Sequence, residues 1–196
     1  MARLLLPSAL SMVLAMSGMG LSPMSANAQA SQKREMVSWV VLSNTPVELT
    51  IDRLREKLDE LYPGQFLPPR KEGNFVIDGT MPGQFLIHSN LAGAAGLFLL
   101  NSVPGPYTDV SDFALAINDR SLRRTAHAQC CWLSVDLIHR HTTNEDAYRF
   151  IGRVLAKLAP NDAAALVHPS SLVTIPFSDD VRRRLASGQP FVHWAD

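Results

Sequence analysis

Between residues 74 and 102, three short apolar runs at 74–78, 84–88 and 95–102 are separated only by Gly79-Thr80-Met81-Pro82-Gly83 and Asn90-Leu91-Ala92-Gly93. A parallel pairing needs a crossover of about a dozen residues or more. These connections are far shorter, and their glycines and proline suit tight reversals. The three runs are therefore expected to form an antiparallel meander, and the rest of the chain has to pack around it.

On either side, helical and strand patterns alternate. Residues 36–43 (Met-Val-Ser-Trp-Val-Val-Leu-Ser) are β-branched and aromatic over a strand's length. Thr50 is a good N-cap for a helix to about Tyr62, with Ile51, Leu54, Leu58 and Leu61 at helical spacing and Pro63-Gly64 as the stop. After the break at Pro104-Gly105-Pro106, residues 109–117 and 120–129 read as short helices and 130–137 as a strand. Asn144 is expected to cap a helix to Leu158, with Ala147, Phe150, Ile151, Val154, Leu155 and Leu158 on one face. Residues 163–168 are a buried strand, followed by a Pro-rich link and a last helix over 179–186.

The order β-α-β-β-β-α-β-α-β-α predicts an α+β two-layer sandwich: a mostly antiparallel sheet with helices on one face, built from ferredoxin-like units. No linker is long or polar enough to divide it, so residues 29–196 are expected to form a single domain.

Residues 1–28 are set apart from that domain. Arg3 precedes an apolar run from Leu4 to Leu21, and a small-x-small ending follows at Ala26-Asn27-Ala28. That three-part pattern describes a secretory signal cleaved after Ala28. A permanent anchor fits less well, because Pro7 and Gly18 interrupt the run and no basic flank follows it. The mature chain is thus expected in the periplasm or outside the cell, with no membrane span and no lipid-bearing cysteine at the cleavage site. In the 196-residue chain 18 Lys and Arg balance 18 Asp and Glu, which argues against nucleic-acid binding. A charged fraction of 18% beside 46% hydrophobic residues also excludes disorder and a coiled coil.

The stretches 45–62, 96–106, 127–135 and 147–168, the second reading Gly-Leu-Phe-Leu-Leu-Asn-Ser-Val-Pro-Gly-Pro, resemble a bacterial family known as domain of unknown function 4261. That family's strand tends to open with His-Lys-Ala-His. The matching positions here are His127, Ala128, Gln129 and Cys130, so one histidine of the pair is kept. The family has no established activity, so the resemblance implies the fold and nothing about a reaction.

Candidate chemistry is sparse. His139-Arg140-His141 would place two imidazoles on one side of an extended chain, as a metal site needs. No local third ligand has standard spacing, Asp136 and Glu145 being the nearest carboxylates, so the pair reads first as a polar turn and no metal or other cofactor is implied. For nucleophilic catalysis the candidates are Ser134 or Cys130, with His127 as base, Asp136 as orienter and Arg123 or Arg124 to activate a thiolate. No nucleophile-elbow or cysteine-hydrolase signature surrounds them.

The two cysteines, Cys130 and Cys131, are adjacent. On a strand their side chains would point to opposite faces, so two unpaired thiols are expected, with a vicinal redox pair as the alternative. In the same strand Cys131, Leu133, Val135 and Leu137 make an apolar face. Cys130, Trp132, Ser134 and Asp136 make a mixed one that could meet a partner or ligand. Arginines at 120, 123 and 124 and at 182–184 could hold an anion, though such runs are commonly solvated faces.

The expected function is a non-catalytic binding or interaction module of the bacterial envelope, taking a protein partner or a small anionic ligand. Its site would draw on His127, Cys130, Trp132, Ser134, Asp136, Arg123 and Arg124, with Pro104 and Tyr107 as a braced loop. The rival is a hydrolase, either metal-dependent through His127, His139 and His141 or cysteine-based through Cys130. A dimer through the open sheet faces is a third possibility, and the sequence leaves the oligomeric state open.

Overall fold

A computed structural model describes residues 37–67, 73–107, 117, 119–171 and 173–189, apart from the side chain of Arg140. The expected signal segment and, apart from Ile117, the expected helix over 109–117 lie outside the described residues.

Strand β1 (Ser38–Ser43) is followed by helix α1 (Ile51–Leu61), and the meander is β2 (Phe75–Asp78), β3 (Gln84–Ser89) and β4 (Gly96–Pro104). Next come α2 (Arg120–Ala128), β5 (Cys131–Arg140), α3 (Asn144–Leu158), β6 (Ala163–His168), β7 (Val173–Pro176) and α4 (Asp179–Ser187). Thr50 caps α1 as expected, its hydroxyl accepting from the Arg53 N–H at 3.2 Å. Helix α3 begins one residue differently: Thr143, not Asn144, is its cap, and the Thr143 hydroxyl accepts from the Asp146 N–H at 3.1 Å. The Pro-rich link expected before the last helix contains a strand, β7, paired antiparallel to β6.

Seven strands form one sheet in the order β2-β3-β4-β5-β1-β6-β7, and every neighbouring pair is antiparallel. Strands β5 and β6 flank β1 and both oppose it, so they run parallel to each other with α3 as their crossover. This is a split β-α-β unit. Strands β1 and β4 flank β5 in the same way, joined through α1 and the β2–β3 hairpin. The central strands β4-β5-β1-β6 with α1 and α3 therefore have ferredoxin-like connectivity, extended by a hairpin at one edge and by β7 at the other.

One sheet face carries the main core. Trp39, Val41, Phe85, Ile87, Phe98, Leu100, Leu133 and Val135 meet Leu54 and Leu58 of α1, Phe150, Ile151, Val154 and Leu155 of α3, and Leu185 of α4. The helical spacing of those apolar residues is what turns each helix onto the sheet. Three helices thus share one face. Helix α2 covers part of the other, where Leu122, Ala126 and Ile117 pack on Val40 and Leu42 of β1 and Ala165 and Val167 of β6. Among the described residues no helix is long and apolar enough to cross a membrane.

Candidate functional site

The strand register lays out the face opposite the main core as rows of side chains. Phe75, His88, Leu97 and His139 stand in one row across β2 to β5. Ile77, Leu86, Leu99, Asp136 and Ser38 make the next. Gln84, Asn101, Ser134, Val40 and Val167 follow, and then Val103, Trp132, Leu42 and Ala165. Apolar side chains dominate both ends, while a polar island of Ser38, Asn101, Ser134 and Asp136 occupies the middle.

That island is internally hydrogen-bonded. Ser38 donates its hydroxyl to Oδ1 of Asp136. Oδ2 of the same carboxylate accepts from the Ser134 hydroxyl at 2.9 Å and from Asn101 Nδ2 at 3.1 Å, and Asn101 Nδ2 also reaches Ser134 Oγ at 3.0 Å. Ser38, Asn101 and Ser134 are buried and Asp136 half-buried. Burial pushes the Asp136 carboxyl above the ordinary aspartate range, against the opposing pull of the hydrogen bonds from Ser38, Ser134 and Asn101.

Beside the island, Tyr107 meets Trp132 edge to face with ring centroids 5.3 Å apart. Burial raises the Tyr107 phenol above its usual range, and the Asp136 charge adds to the effect. The buried Gln129 ties this corner together: with its amide oriented to suit its neighbours, it donates to Cys131 O at 3.2 Å and accepts from the Tyr107 N–H at 3.0 Å. Pro104 is exposed at the end of β4.

The expected residues thus divide. Trp132, Ser134 and Asp136 share one face of β5, and Tyr107 packs beside them on Trp132. Ser38 and Asn101 belong with them, although sequence reasoning missed both. His127 is exposed in the last turn of α2, and the hydrogen-bond partners of Ser134 and Asp136 among the described residues include no histidine. Arg123 donates through Nε and Nη2 to Ile117 O at 3.0 and 2.6 Å, bracing the entry to α2, and Arg124 is exposed.

His139 and His141 do share a side, with ring centroids 4.6 Å apart, and both are exposed. Among the described residues no set of three His, Cys, Asp or Glu is placed to hold a metal ion.

Comparison with protein-family models, curated proteins and solved structures gives no match.

The cysteines depart from expectation. Strand alternation put the two sulfurs on opposite faces, yet Cys130 Sγ and Cys131 Sγ are 2.9 Å apart. The strand begins at Cys131, so Cys130 sits in the short link between α2 and β5 and the alternation does not govern it. Both are free thiols, one exposed and one buried.

Proposed function

We propose that this chain is a non-catalytic interaction module, exported to the bacterial envelope, that binds a protein partner on the sheet face opposite its main core. The observation that carries the reading is the row Ile77–Leu86–Leu99–Asp136. An apolar strip runs from the edge strand to a half-buried carboxylate, with Ile77 46% exposed and Leu86 and Leu99 half-buried. Apolar contact area with a few fixed polar groups, next to an aromatic pair such as Tyr107–Trp132, is the composition of a protein interface.

The chemistry of the face favours a protein over a small anion. A carboxylate stands at its centre, and the Arg123 guanidinium is engaged with Ile117 O. The hydrolase reading has less to rest on, because the Ser134 hydroxyl is buried and its hydrogen bonds run to Asn101 and Asp136, with His127 exposed on α2 and not among its partners in the described residues. The resemblance to the domain of unknown function 4261 family is compatible with this reading and supplies no activity of its own.

The test is affinity capture from envelope extract of the source bacterium with wild-type chain, Trp132→Ala, Ile77→Glu and, as a control on the helix side, Arg183→Ala. A partner retained by wild type and Arg183→Ala but lost with both sheet-face variants supports the assignment, provided circular dichroism shows all four folded. Equal retention by all four removes it. N-terminal sequencing of the protein recovered from the envelope should start at Gln29; an intact Met1 terminus would refute signal cleavage.

A further inference from the structure

The sheet-face reading makes no use of Cys130 and Cys131, and their arrangement has a chemistry of its own. The two sulfurs lie 2.9 Å apart, and Cys130 Sγ is also 3.0 Å from Asn44 O. A disulfide bond is about 2.05 Å long, so the sulfurs stand under about 1 Å beyond bonding distance, and closure of the eight-membered ring also has to turn the Cys130–Cys131 peptide. The peptide that carries them is held on both sides: the Cys130 N–H donates to Ser43 O at 3.2 Å, and Cys130 O accepts from the Gly105 N–H at 2.6 Å. The cysteines are thus fixed between the ends of β1 and β4.

The two thiols also differ in kind. Cys130 is exposed, whereas Cys131 is 3% exposed. Burial pushes the Cys131 thiol up to about 11, with the neighbouring Cys130 sulfur adding to the rise. An incoming reagent therefore meets Cys130 first, and Cys131 reacts second from within. One accessible attacking sulfur with a second sulfur in reach behind it is an arrangement that thiol–disulfide exchange can use.

We propose that Cys130 and Cys131 form a thiol–disulfide exchange site that takes a low-molecular-mass disulfide as substrate and closes to a vicinal disulfide. Cys130, having lost its proton to solvent, attacks one sulfur of the substrate R–S–S–R. A Cys130–S–S–R bond forms, the substrate S–S bond breaks, and R–S⁻ leaves and takes up a proton. The Cys131 sulfur, deprotonated in turn, then attacks Cys130 Sγ and expels the second R–S⁻, which is protonated. Two protein thiols become one disulfide and the substrate is reduced to two thiols, so atoms and electrons balance. Closure gives up the Cys130 contact with Asn44 O. The site does not depend on the partner surface described above.

The experiment titrates the reduced full-length chain with mixtures of oxidised and reduced glutathione, quenches with an alkylating agent and reads the intact mass, once folded and once in denaturant. The chain has only these two cysteines, so every product is distinct by mass. In the folded chain the expected product is a monomer lighter by two hydrogens that takes up no alkyl group. It should reach half-conversion at a concentration of oxidised glutathione, divided by the square of that of reduced glutathione, at least about tenfold lower than in denaturant. Cys131→Ser, checked for folding by circular dichroism, should instead stop at a stable adduct of one glutathione on Cys130. The proposal is overturned if the folded wild type closes no more readily than the denatured chain, accumulates glutathione adducts, or forms a linked dimer.

Discussion

Ser38 and Asp136 face each other across the β1–β5 pairing, and the Ser38 hydroxyl donates to one carboxylate oxygen while Ser134 and Asn101 serve the other. Four polar side chains from three strands are thereby satisfied by one another in the middle of the sheet. Groups left unpaired at such a position cost about 1–3 kcal/mol each, so the set is expected to behave as a unit. The arrangement fixes the register of β1, β4 and β5 while leaving a half-buried carboxyl on the surface proposed for the partner.

Asp136 gives the stability of the fold a pH dependence. Burial, the largest influence on Asp136, raises its folded-state titration above that of the unfolded chain, whose aspartates titrate near about 3.9. The folded state then keeps a proton that the unfolded state has released. Asp136 therefore contributes most below the unfolded value, and its contribution falls as pH rises through its raised folded value. Asp59 and Glu60 are shifted downward and act in the opposite sense, so the total curve mixes both signs. The difference between wild type and Asp136→Asn isolates the site. Measured by urea denaturation from about pH 3 to about pH 7, wild type should lose stability relative to the variant as pH rises. A relative gain would mean that the three hydrogen bonds outweigh burial.

The same cluster shows how far the sequence could be followed. Trp132, Ser134 and Asp136 were legible because a strand alternates its side chains, and one strand's pattern is local information. Ser38 and Asn101 were not, since no spacing along the chain ties them to Asp136; pairing brings them together from 98 and 35 residues away. The available hint was that both are polar residues inside strand runs of apolar neighbours. Strand β7 escaped notice because it is four residues long, ends in Pro176 and pairs on one side only, where alternation is weakly enforced. Helix α2 could lie on either face, because β4 and β5 are antiparallel neighbours and the handedness rule for parallel crossovers does not apply.

His168 makes a second, independent test. It is buried at the end of β6 with Nε2 2.6 Å from the Tyr148 hydroxyl and Nδ1 2.5 Å from Ser171 Oγ, and its ring centroid lies 5.1 Å from that of Trp39. His168→Ala removes a packed ring together with its polar contacts to Tyr148, Ser171 and Ser170, and should cost about 3 kcal/mol in urea denaturation. His168→Phe restores the volume without the hydrogen bonds and should recover part of that loss. Equal losses for both variants would assign the whole effect to the polar contacts.

Helix α3 supplies the longest helical face in the core, so its start carries a measurable share of stability. Thr143 accepts from the Asp146 N–H and donates its hydroxyl to Asp146 Oδ2 at 2.8 Å, a local pair of bonds that closes the first turn. Thr143→Ala should destabilise the chain by about 1 kcal/mol, and Thr143→Ser by a few tenths at most. Thermal unfolding of the two variants side by side decides whether the cap is at this residue.

Gly83 closes the β2–β3 turn with φ +75°, and a β-carbon placed there would stand 2.2 Å from Ser102 O. The closeness has a purpose: the Ser102 N–H donates to Gly83 O at 2.8 Å, so the turn is docked on β4 as well as joining its own strands. Gly83→Ala meets both the left-handed backbone penalty and a collision with a backbone carbonyl, neither of which a side-chain rotation can relieve. Gly105 offers the control, since its φ is +106° but nothing lies within 4 Å of its would-be β-carbon. Gly105→Ala should cost about 1 kcal/mol, the conformational term alone, and Gly83→Ala more than about 2 kcal/mol. If the two variants unfold at the same urea concentration, the β2–β3 turn is not docked against β4 in solution.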